Sequence, residues 1–444
     1  EKAYYLASVA DSVFLPPEGI IEFNGLSSSQ MFYLGLFEKL ELQPEVFRVG
    51  TFKSAVEPYL RKDMSDASKL QTATYLKDIW SVYSRDIAAS RSIHIDQLEG
   101  IADEFIFGDG KKALKHGLID EIAYETDVFT KLKAAVNKAA DDSQELTSFR
   151  KYMRVPGTYQ SSRNRIAVVF TEGAIQSGKS TQGVIGSTTV VEQLRKARKD
   201  KKVKAVVLRV NSPGGSAMAS DMIAAELRLL KKEKPVIASF GDVAASGGYY
   251  IAAPADKIFA QENTITGSIG IFGLWMNLGG ALNNKLGLTF DGVETHEHAN
   301  FGDPTFPMTP SEKAFMQSYV ERGYGGFIEV VKNGRGFADS VAVDKIAQGR
   351  VWSGQDAKEI NLIDEFGNLG DAIEYAAEAA GLEDYRIQRL QPSMNPFDEI
   401  LQDLLEAKAS QDPLYEEMKE LRKFKTMFPR NGTYALMPFD LNIE

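Results

Sequence analysis

The chain contains the same sequence pattern twice, at a nearly constant spacing. The opening segment, EKAYYLASVADSVF, is echoed by ASGGYYIAAPADKIF around Ser246, and Tyr4 and Tyr249 match at a separation of 245 residues. A second pair, DGKKALKHGLIDE in residues 109–121 and SGQDAKEINLIDE in residues 353–365, repeats after 244 residues. Chance similarity rarely keeps one spacing over about a hundred residues, so we interpret the chain as a tandem duplication.

The length of 444 residues agrees with two repeats and additional segments, because a single core rarely grows beyond roughly 250–300 residues. The predicted boundaries are residues 1–141 for the N-terminal repeat unit, 142–164 for a polar linker, 165–381 for the C-terminal repeat unit and 382–444 for a mostly helical tail. The tail carries two amphipathic stretches, FDEILQDLLEA and LYEEMKELRKFKTMF. Their acidic polar faces favour packing or oligomer helices over helices that lie on a membrane.

The two repeats differ at their starts. The C-terminal repeat has about eighty residues between Arg165 and Ser246, whereas the N-terminal repeat has none before Glu1, the position that matches Ser246. We therefore expect the natural protein to continue before Glu1, with the rest of that domain and any membrane anchor. The chain itself contains no apolar run near the ~18 residues that span a bilayer, and it does not open on a signal peptide.

Strand–helix alternation in the C-terminal repeat predicts an α/β fold. The apolar segments RIAVVFTEG, KAVVLRV and KPVIASF read as strands, and TTVVEQLRKARKD and AMASDMIAAELRLLKKE read as helices between them. Such alternation, with strands that are apolar on both faces, is typical of a largely parallel sheet. NSPGGS is predicted to be a loop, and GDVAASGG a turn.

Composition excludes several functions. The net charge of −10 argues against nucleic-acid binding, which needs a basic field. The absence of cysteine excludes disulfides, thiolate catalysis and cysteine-ligated zinc, and it suits an oxidising compartment. A hydrophobic content of 43% with 25% charged residues is that of a globular protein.

Two glycine-rich turns follow predicted strands of the C-terminal repeat. NSPGGS, residues 211–216, contains Gly214 and Gly215, which permit a backbone with its amide N–H groups turned outward, as an oxyanion needs. ASGGYY places Ser246 at the start of an apolar helix. Because the carboxyl ends of parallel strands meet at one edge of a sheet, a nucleophilic serine facing an oxyanion hole is one interpretation. A tight turn and a serine helix cap are the structural alternative.

A nucleophilic serine needs a base, and the histidines do not provide one. None of the four histidines, His94, His116, His296 and His298, lies within thirty residues after Ser246. His296 and His298 suggest a metal pair, but no third ligand accompanies them, so an exposed loop is the better interpretation. Lys53, in the apolar segment VFRVGTFKSAV, is the alternative base if burial lowers its pKa from ~10.4 to about 7–8.

Four motifs in order resemble the long, duplicated form of the signal peptide peptidase A family. They are VGTFKSAVEP, RVNSPGGS, ASGGYYIAAPAD and TGSIGIFG, and the resemblance covers the chain up to about Gly381. The family consists of membrane-anchored bacterial serine proteases with a Ser/Lys dyad. The resemblance implies tandem Clp-protease/crotonase-like domains, with neither cofactor nor metal.

The resemblance also implies a role for individual residues. Ser246 would be the nucleophile, Lys53 the general base, and Ser268 in TGSIGIFG the hydroxyl that orients the lysine amine. The oxyanion hole would be formed by backbone N–H groups of the glycine turns, chiefly Gly215, with Gly214 and Gly247. Expected substrates are hydrophobic peptides such as cleaved signal peptides. The expected assembly is a homo-oligomeric ring, a tetramer, at the bacterial inner membrane with its catalytic domains facing the periplasm.

The duplication divides these groups between the repeats. The N-terminal repeat has Lys53 but only Glu1 at the serine position, and the C-terminal repeat has Ser246 but reads ETHEHANFG around His298 at the lysine position. We expect the dyad to combine the two repeats, either within one chain or between neighbouring chains.

Two other enzyme classes and a non-catalytic scaffold are alternatives to the protease. GAIQSGKS, residues 173–180, matches the P-loop pattern, but Gly183 and Gly186 follow where a phosphate-binding helix would begin, so we predict a surface loop. A crotonase-like acyl-CoA enzyme would use the same glycine-rich oxyanion hole without Lys53. A non-catalytic scaffold in a membrane assembly would need none of these groups.

Overall fold

The structure is a computed structural model and describes residues 2–139, 147–152, 162–390 and 432–437. The chain divides into two compact units. The first draws its described residues from Glu1–Ser29 and Leu76–Gln160, and the second from Gln30–Tyr75 and Ser161–Asp440. The segment that carries Lys53 therefore folds with the C-terminal repeat. Both predicted tail helices lie outside the described residues.

The described strands are numbered here in chain order. They are β1 Phe14–Leu15, β2 Gln43–Arg48, β3 Glu121–Ile122, β4 Arg165–Glu172, β5 Ala174–Gln176, β6 Val184–Gly186, β7 Val203–Ser212, β8 Gly214–Ser216, β9 Val236–Ala245, β10 Lys257–Ala260, β11 Ile265–Gly267, β12 Phe272–Asn277, β13 Val351–Ser353, β14 Glu365–Phe366, β15 Arg386–Leu390 and β16 Gly432–Leu436.

The described α-helices are numbered in the same way. They are α1 Lys2–Ala7, α2 Leu34–Leu40, α3 Glu57–Leu60, α4 Asp66–Arg91, α5 Ile95–Asp103, α6 Gly110–Lys115, α7 Glu125–Ala135, α8 Phe149–Tyr152, α9 Ser187–Lys199, α10 Ala217–Lys231, α11 Gly247–Ala252, α12 Pro310–Arg335, α13 Ser340–Ile346, α14 Gly354–Glu359 and α15 Leu369–Ala379. No helix of the described segments is long and apolar enough to cross a bilayer.

The central sheet of the second unit has the order β13-β11-β9-β7-β4-β15, and β10 joins it by pairing with β9 and β14. Every pair in this sheet is parallel except β11 with β13. The strands are buried on both faces, as in the segment Ala205–Leu208 of β7, because helices such as α10 and α15 cover them. The predicted α/β fold with a largely parallel sheet is confirmed.

Two segments predicted as a turn and a loop are strands instead. In GDVAASGG, residues Val243–Ala245 continue β9 because they pair with β11. In NSPGGS, the glycines form β8, which pairs with β5 and β16. Both errors have one cause, since glycine and short apolar residues adopt extended backbone when a neighbouring strand supplies their hydrogen bonds.

A second sheet of this unit brings distant parts of the chain together. Its order is β2-β12-β16-β8-β5-β6. In it β2 pairs antiparallel with β12, and β16 lies between β12 and β8. Lys53 lies five residues after the end of β2, and Gly214 and Gly215 belong to β8.

The first unit repeats the plan of the second in its element boundaries. Adding 245 residues to α1 yields α11, and adding 244 to α4, α6 and α7 yields α12, α14 and α15. The parallel pair of Phe14 with Glu121 corresponds to that of Phe259 with Glu365. The tandem duplication inferred from two sequence echoes is thus visible in the fold.

Individual hydrogen bonds are repeated as well. Tyr4 Oη donates to the carbonyl of Leu118 at 2.7 Å, and Tyr249 Oη donates to that of Leu362 at 2.8 Å. Likewise the aspartate of each LIDE motif accepts a backbone N–H at 2.7 Å and forms an ion pair with the arginine that ends the long helix. The two sets are Asp120 with Val13 and Arg91, and Asp364 with Ile258 and Arg335.

Candidate active site

Ser246 lies in the turn between β9 and α11, and its backbone is strained. Its φ is 53° and its ψ is −115°, a region that costs a non-glycine residue roughly 1–3 kcal/mol. Its N–H donates to the carbonyl of Gly267 at 2.8 Å, and its side chain is fully buried. The hydroxyl makes no helix-cap hydrogen bond. The cap interpretation of Ser246 therefore fails.

Lys53 lies five residues after the end of β2 and points its amine at this hydroxyl. Nζ lies 2.9 Å from Ser246 Oγ, 3.1 Å from Ser268 Oγ and 3.2 Å from the carbonyl oxygen of Ser268. The side chain of Lys53 has no exposed surface. The structure thus brings the three side chains of the predicted constellation together within one compact unit of one chain.

Burial controls the charge of this amine. The pKa of Lys53 is lowered well below its usual value of 10.5, because desolvation disfavours the ammonium form. A neutral amine has two N–H donors and one lone pair. Ser268 provides two acceptors, its hydroxyl and its carbonyl oxygen, which leaves the lone pair to accept the O–H of Ser246.

Ser268 is held by backbone hydrogen bonds on a second strained turn. It follows β11 with φ of 49°, and its N–H donates to the carbonyl of Arg350 at 2.7 Å. Two serines with left-handed backbone thus face one lysine. Such strain persists only where surrounding structure enforces it, and it is common at functional sites.

Glycines make room for the lysine. A Cβ on Gly349, whose φ is 77°, would lie 2.6–2.7 Å from the backbone and Cβ of Lys53. A Cβ on Gly270 would lie 3.2 Å from Cδ of the same side chain. Backbone therefore encloses the alkyl chain on two sides, which contributes to the complete burial of the side chain.

The predicted oxyanion glycines also lie together. A Cβ on Gly214 would be 2.7 Å from the nitrogen of Gly247, and a Cβ on Gly247 would be 3.1 Å from the nitrogen of Gly215. Gly214 and Gly215 have φ of 104° and 153°. No side chain other than hydrogen fits at these positions, so backbone amides approach one another beside Ser246.

The other sequence candidates lie elsewhere. The loop that carries His296 is exposed, as predicted, and His298 lies 3.0 Å from Glu312. Across the described segments, no group of three His, Asp or Glu side chains is arranged to hold a metal ion. No helix begins at Lys179 of the P-loop-like segment, because α9 starts only at Ser187. The predicted surface loop is partly wrong, since Ala174–Gln176 form β5 and Ile175 is buried.

Gln71 on α4 is a residue that sequence reasoning missed. Its Nε2 donates to Ser54 Oγ at 2.8 Å and to the carbonyl of Phe52 at 3.3 Å, and its Oε1 accepts the N–H of Val351 at 3.1 Å. It therefore ties both neighbours of Lys53 to β13, the strand beside Gly267. The sequence shows only polar residues at helical spacing, Ser68, Gln71 and Thr72, and the structure alone shows that this face of the helix is buried.

Removal of the amine tests its buried, neutral state. Between the lowered native pKa and 10.5, the unfolded chain binds a proton that the native chain does not. Wild-type stability should therefore rise with pH in this window, by about 1.4 kcal/mol per pH unit relative to Lys53→Met. Urea unfolding of both proteins from pH 7 to pH 10 measures the difference. A difference that is constant with pH would contradict the prediction, and the exposed Lys232→Met controls for loss of a lysine.

Gln71→Met keeps the side-chain volume but removes the three hydrogen bonds by which Gln71 ties Phe52 and Ser54 to Val351. We expect Ser246 to react with a fluorophosphonate roughly 10- to 100-fold more slowly, since misplacing a reacting group by about 1 Å has effects of that size. Gln388→Met, on the edge strand β15, is the matched control and should react as the wild type does. Equal labelling rates for both variants would show that Gln71 does not position the site.

Known proteins with similar sequences cover most of this chain. It is 38% identical over 408 residues to Protease 4 of Salmonella typhi, which covers 90% of this chain and 65% of that protein. Protease 4 of Haemophilus influenzae is 40% identical over 388 residues, with 84% and 62% covered. A putative signal peptide peptidase SppA of Enterococcus faecium is 41% identical over 183 residues, with 41% and 53% covered. The chain spans less than two thirds of the length of these relatives.

Family profiles cover both repeats. The profile described as Clp protease matches residues 159–266, which agrees with the Clp-protease-like α/β fold of the second unit. The profile described as Peptidase family S49 matches in two segments, residues 2–139 and 228–383, and so follows the duplication. Together these segments make up more than half of the chain, and the chain therefore belongs to peptidase family S49.

Proposed function

We propose that the protein is a serine peptidase with Ser246 as nucleophile and Lys53 as general base. The observation that carries the proposal is the 2.9 Å contact between Ser246 Oγ and a fully buried lysine amine whose pKa is lowered. A neutral amine can take the serine proton, which an ammonium cannot. The names of the full-length relatives, Protease 4, support the same activity.

The reaction proceeds in two steps, acylation of Ser246 and hydrolysis of the acyl-enzyme. Ser246 Oγ attacks the scissile carbonyl carbon while its proton moves to Lys53 Nζ, and the resulting ammonium returns that proton to the leaving amine. Water then attacks the acyl carbonyl carbon while Lys53 takes a proton from that water, and the ammonium gives the proton to Ser246 Oγ as the bond between Oγ and the acyl group breaks. The N–H groups of Gly215 and Gly247 stabilise the oxyanion, and removal of one such donor typically slows a reaction by about 10²–10³. Ser268 orients the amine through its two acceptor oxygens.

The proposed substrates are hydrophobic peptides such as cleaved signal peptides. Strands β8 and β12 lie on either side of β16, and an extended peptide in the place of β16 would bind their edges through its own backbone. Hydrophobic side chains suit the apolar cluster beside β16, which includes Phe272, Leu274 and Tyr434. The name of the Enterococcus faecium relative supports this substrate class.

We further propose a ring-shaped homo-oligomer, a tetramer, anchored at the bacterial inner membrane with the sites facing the periplasm. Residues 286–293 support an assembly, because four apolar side chains there are exposed: Leu286, Leu288, Phe290 and Val293. Several exposed apolar side chains within a short segment are typical of protein interfaces. The absence of cysteine suits the periplasm.

Fluorophosphonate labelling tests the proposed dyad. The wild type should be labelled and Ser246→Ala should not, while Lys53→Met should react at least about 100-fold more slowly. The labelling rate should fall as the pH falls through the lowered pKa of Lys53, because the protonated amine has no lone pair. Ser340→Ala, at a half-buried serine of α13, controls for loss of a hydroxyl.

Different results would favour the other functions. Ordinary labelling and peptide hydrolysis by Ser246→Ala would overturn the dyad. Binding of coenzyme A without Ser246 labelling would favour a crotonase-like acyl-CoA enzyme. A folded protein that does neither would favour a scaffold.

A further inference from the structure

A segment of the chain itself lies in the proposed peptide-binding position. Strand β16 is far from β8 and β12 in sequence, yet it inserts between them and pairs antiparallel with both. Tyr434 of β16 pairs with Ser216 of β8 on one side and with Phe272 of β12 on the other. An extended peptide that binds the edges of β8 and β12 would need this same place.

The register aligns one carbonyl with the oxyanion glycines. Ala435 lies opposite Gly215, and Met437 N–H donates to the carbonyl of Pro213 at 2.7 Å. Hydrogen-bonded pairs alternate along an antiparallel ladder, so Ala435 and Gly215 form the next such pair. A Cβ on Gly214 would collide with the carbonyl oxygen of Ala435. A Cβ on Gly247 would lie 3.0 Å from that same oxygen.

The side chains of the segment occupy sites of different size. Ala435 has no exposed surface and Met437 is 4% exposed, whereas Tyr434, the residue before Ala435, is half-buried. The Tyr434 ring packs on that of Phe272, with centroids 5.7 Å apart. The buried place at the oxyanion glycines therefore holds a methyl group.

We infer that residues 432–437 are an intramolecular pseudo-substrate, with Ala435 in the position of the residue whose carbonyl would be attacked. This inference rests on the proposed peptidase function and adds two statements to it. Peptides must displace this segment before they bind, and the pocket for the residue before the scissile bond accepts a small side chain. A strand that only completed the sheet would not need a carbonyl at the oxyanion glycines.

Binding to Ser246→Ala protein tests displacement without catalysis. The probe is a fluorescent hexapeptide, Gly-Thr-Tyr-Ala-Leu-Met, measured by fluorescence polarisation. If the segment occupies the cleft about nine-tenths of the time, adding Ala435→Trp should lower the Kd about tenfold, because the bulky side chain expels the segment. Adding Ala435→Gly should leave the Kd within about twofold, since glycine still fits. Equal Kd values for both double variants would overturn the inference.

A second variant and a second peptide test the same inference independently. Should Ala435→Trp misfold, Met437→Pro removes the N–H that binds Pro213 and should lower the Kd in the same direction. A hexapeptide with tryptophan in place of alanine should bind at least about tenfold more weakly. Equal binding of the two hexapeptides would overturn the small pocket.

Hydrolysis separates this inference from the proposed function. In protein that retains Ser246, Ala435→Trp should raise kcat/KM for the hexapeptide about tenfold relative to Ala435→Gly. If the Kd values shift as expected but no variant cleaves peptide, the pseudo-substrate stands and the peptidase assignment fails. Mass spectrometry adds a check of register: Ser246-dependent cleavage after Ala435 supports it, and cleavage at another bond of the segment overturns it.

Discussion

The burial of one lysine amine is the constraint on which the site depends. Desolvation lowers the pKa of Lys53, and no neighbouring charge among the described residues contributes to this shift. Leaving water costs an ammonium several kcal/mol, so the group is stable there as a neutral amine with hydrogen-bond partners. Ser246 and Ser268 supply those partners, and the glycines at 270 and 349 let backbone enclose the alkyl chain. These contacts satisfy the buried neutral amine, and they also direct its lone pair at the hydroxyl of Ser246.

Duplication explains why this site is assembled from distant segments. The repeats share helices, strand register and even the tyrosine and aspartate hydrogen bonds of their cores, so the fold itself did not need to change. The residues at matching positions differ. Glu1 of the N-terminal repeat corresponds to Ser246, and residues near His298 of the C-terminal repeat correspond to Lys53. Because residues 30–75 fold into the second unit, a lysine from one repeat meets a serine from the other.

The strand pairings show where local patterns were insufficient. Periodicity predicted β4, β7, α9 and α10 closely, because their apolar faces are encoded in consecutive residues. It missed β8 and the end of β9, where glycine and alanine become strands only because β16 and β11 pair with them. Gln71 escaped notice for a similar reason. Its three hydrogen bonds reach residues 17 to 280 positions away along the chain.

The sequence by itself determined the duplication, the α/β class and the shortlist of Ser246, Lys53, Ser268 and the glycines, because repeats, periodicity and motifs are all local or internally comparable. Only the tertiary structure decided that these groups meet within one compact unit, that the lysine is enclosed, and that residues 432–437 lie beside the oxyanion glycines. The physical reason is that burial and sheet pairing depend on neighbours in space. A lysine that would be solvated on one surface is neutral when another segment of the chain removes its water.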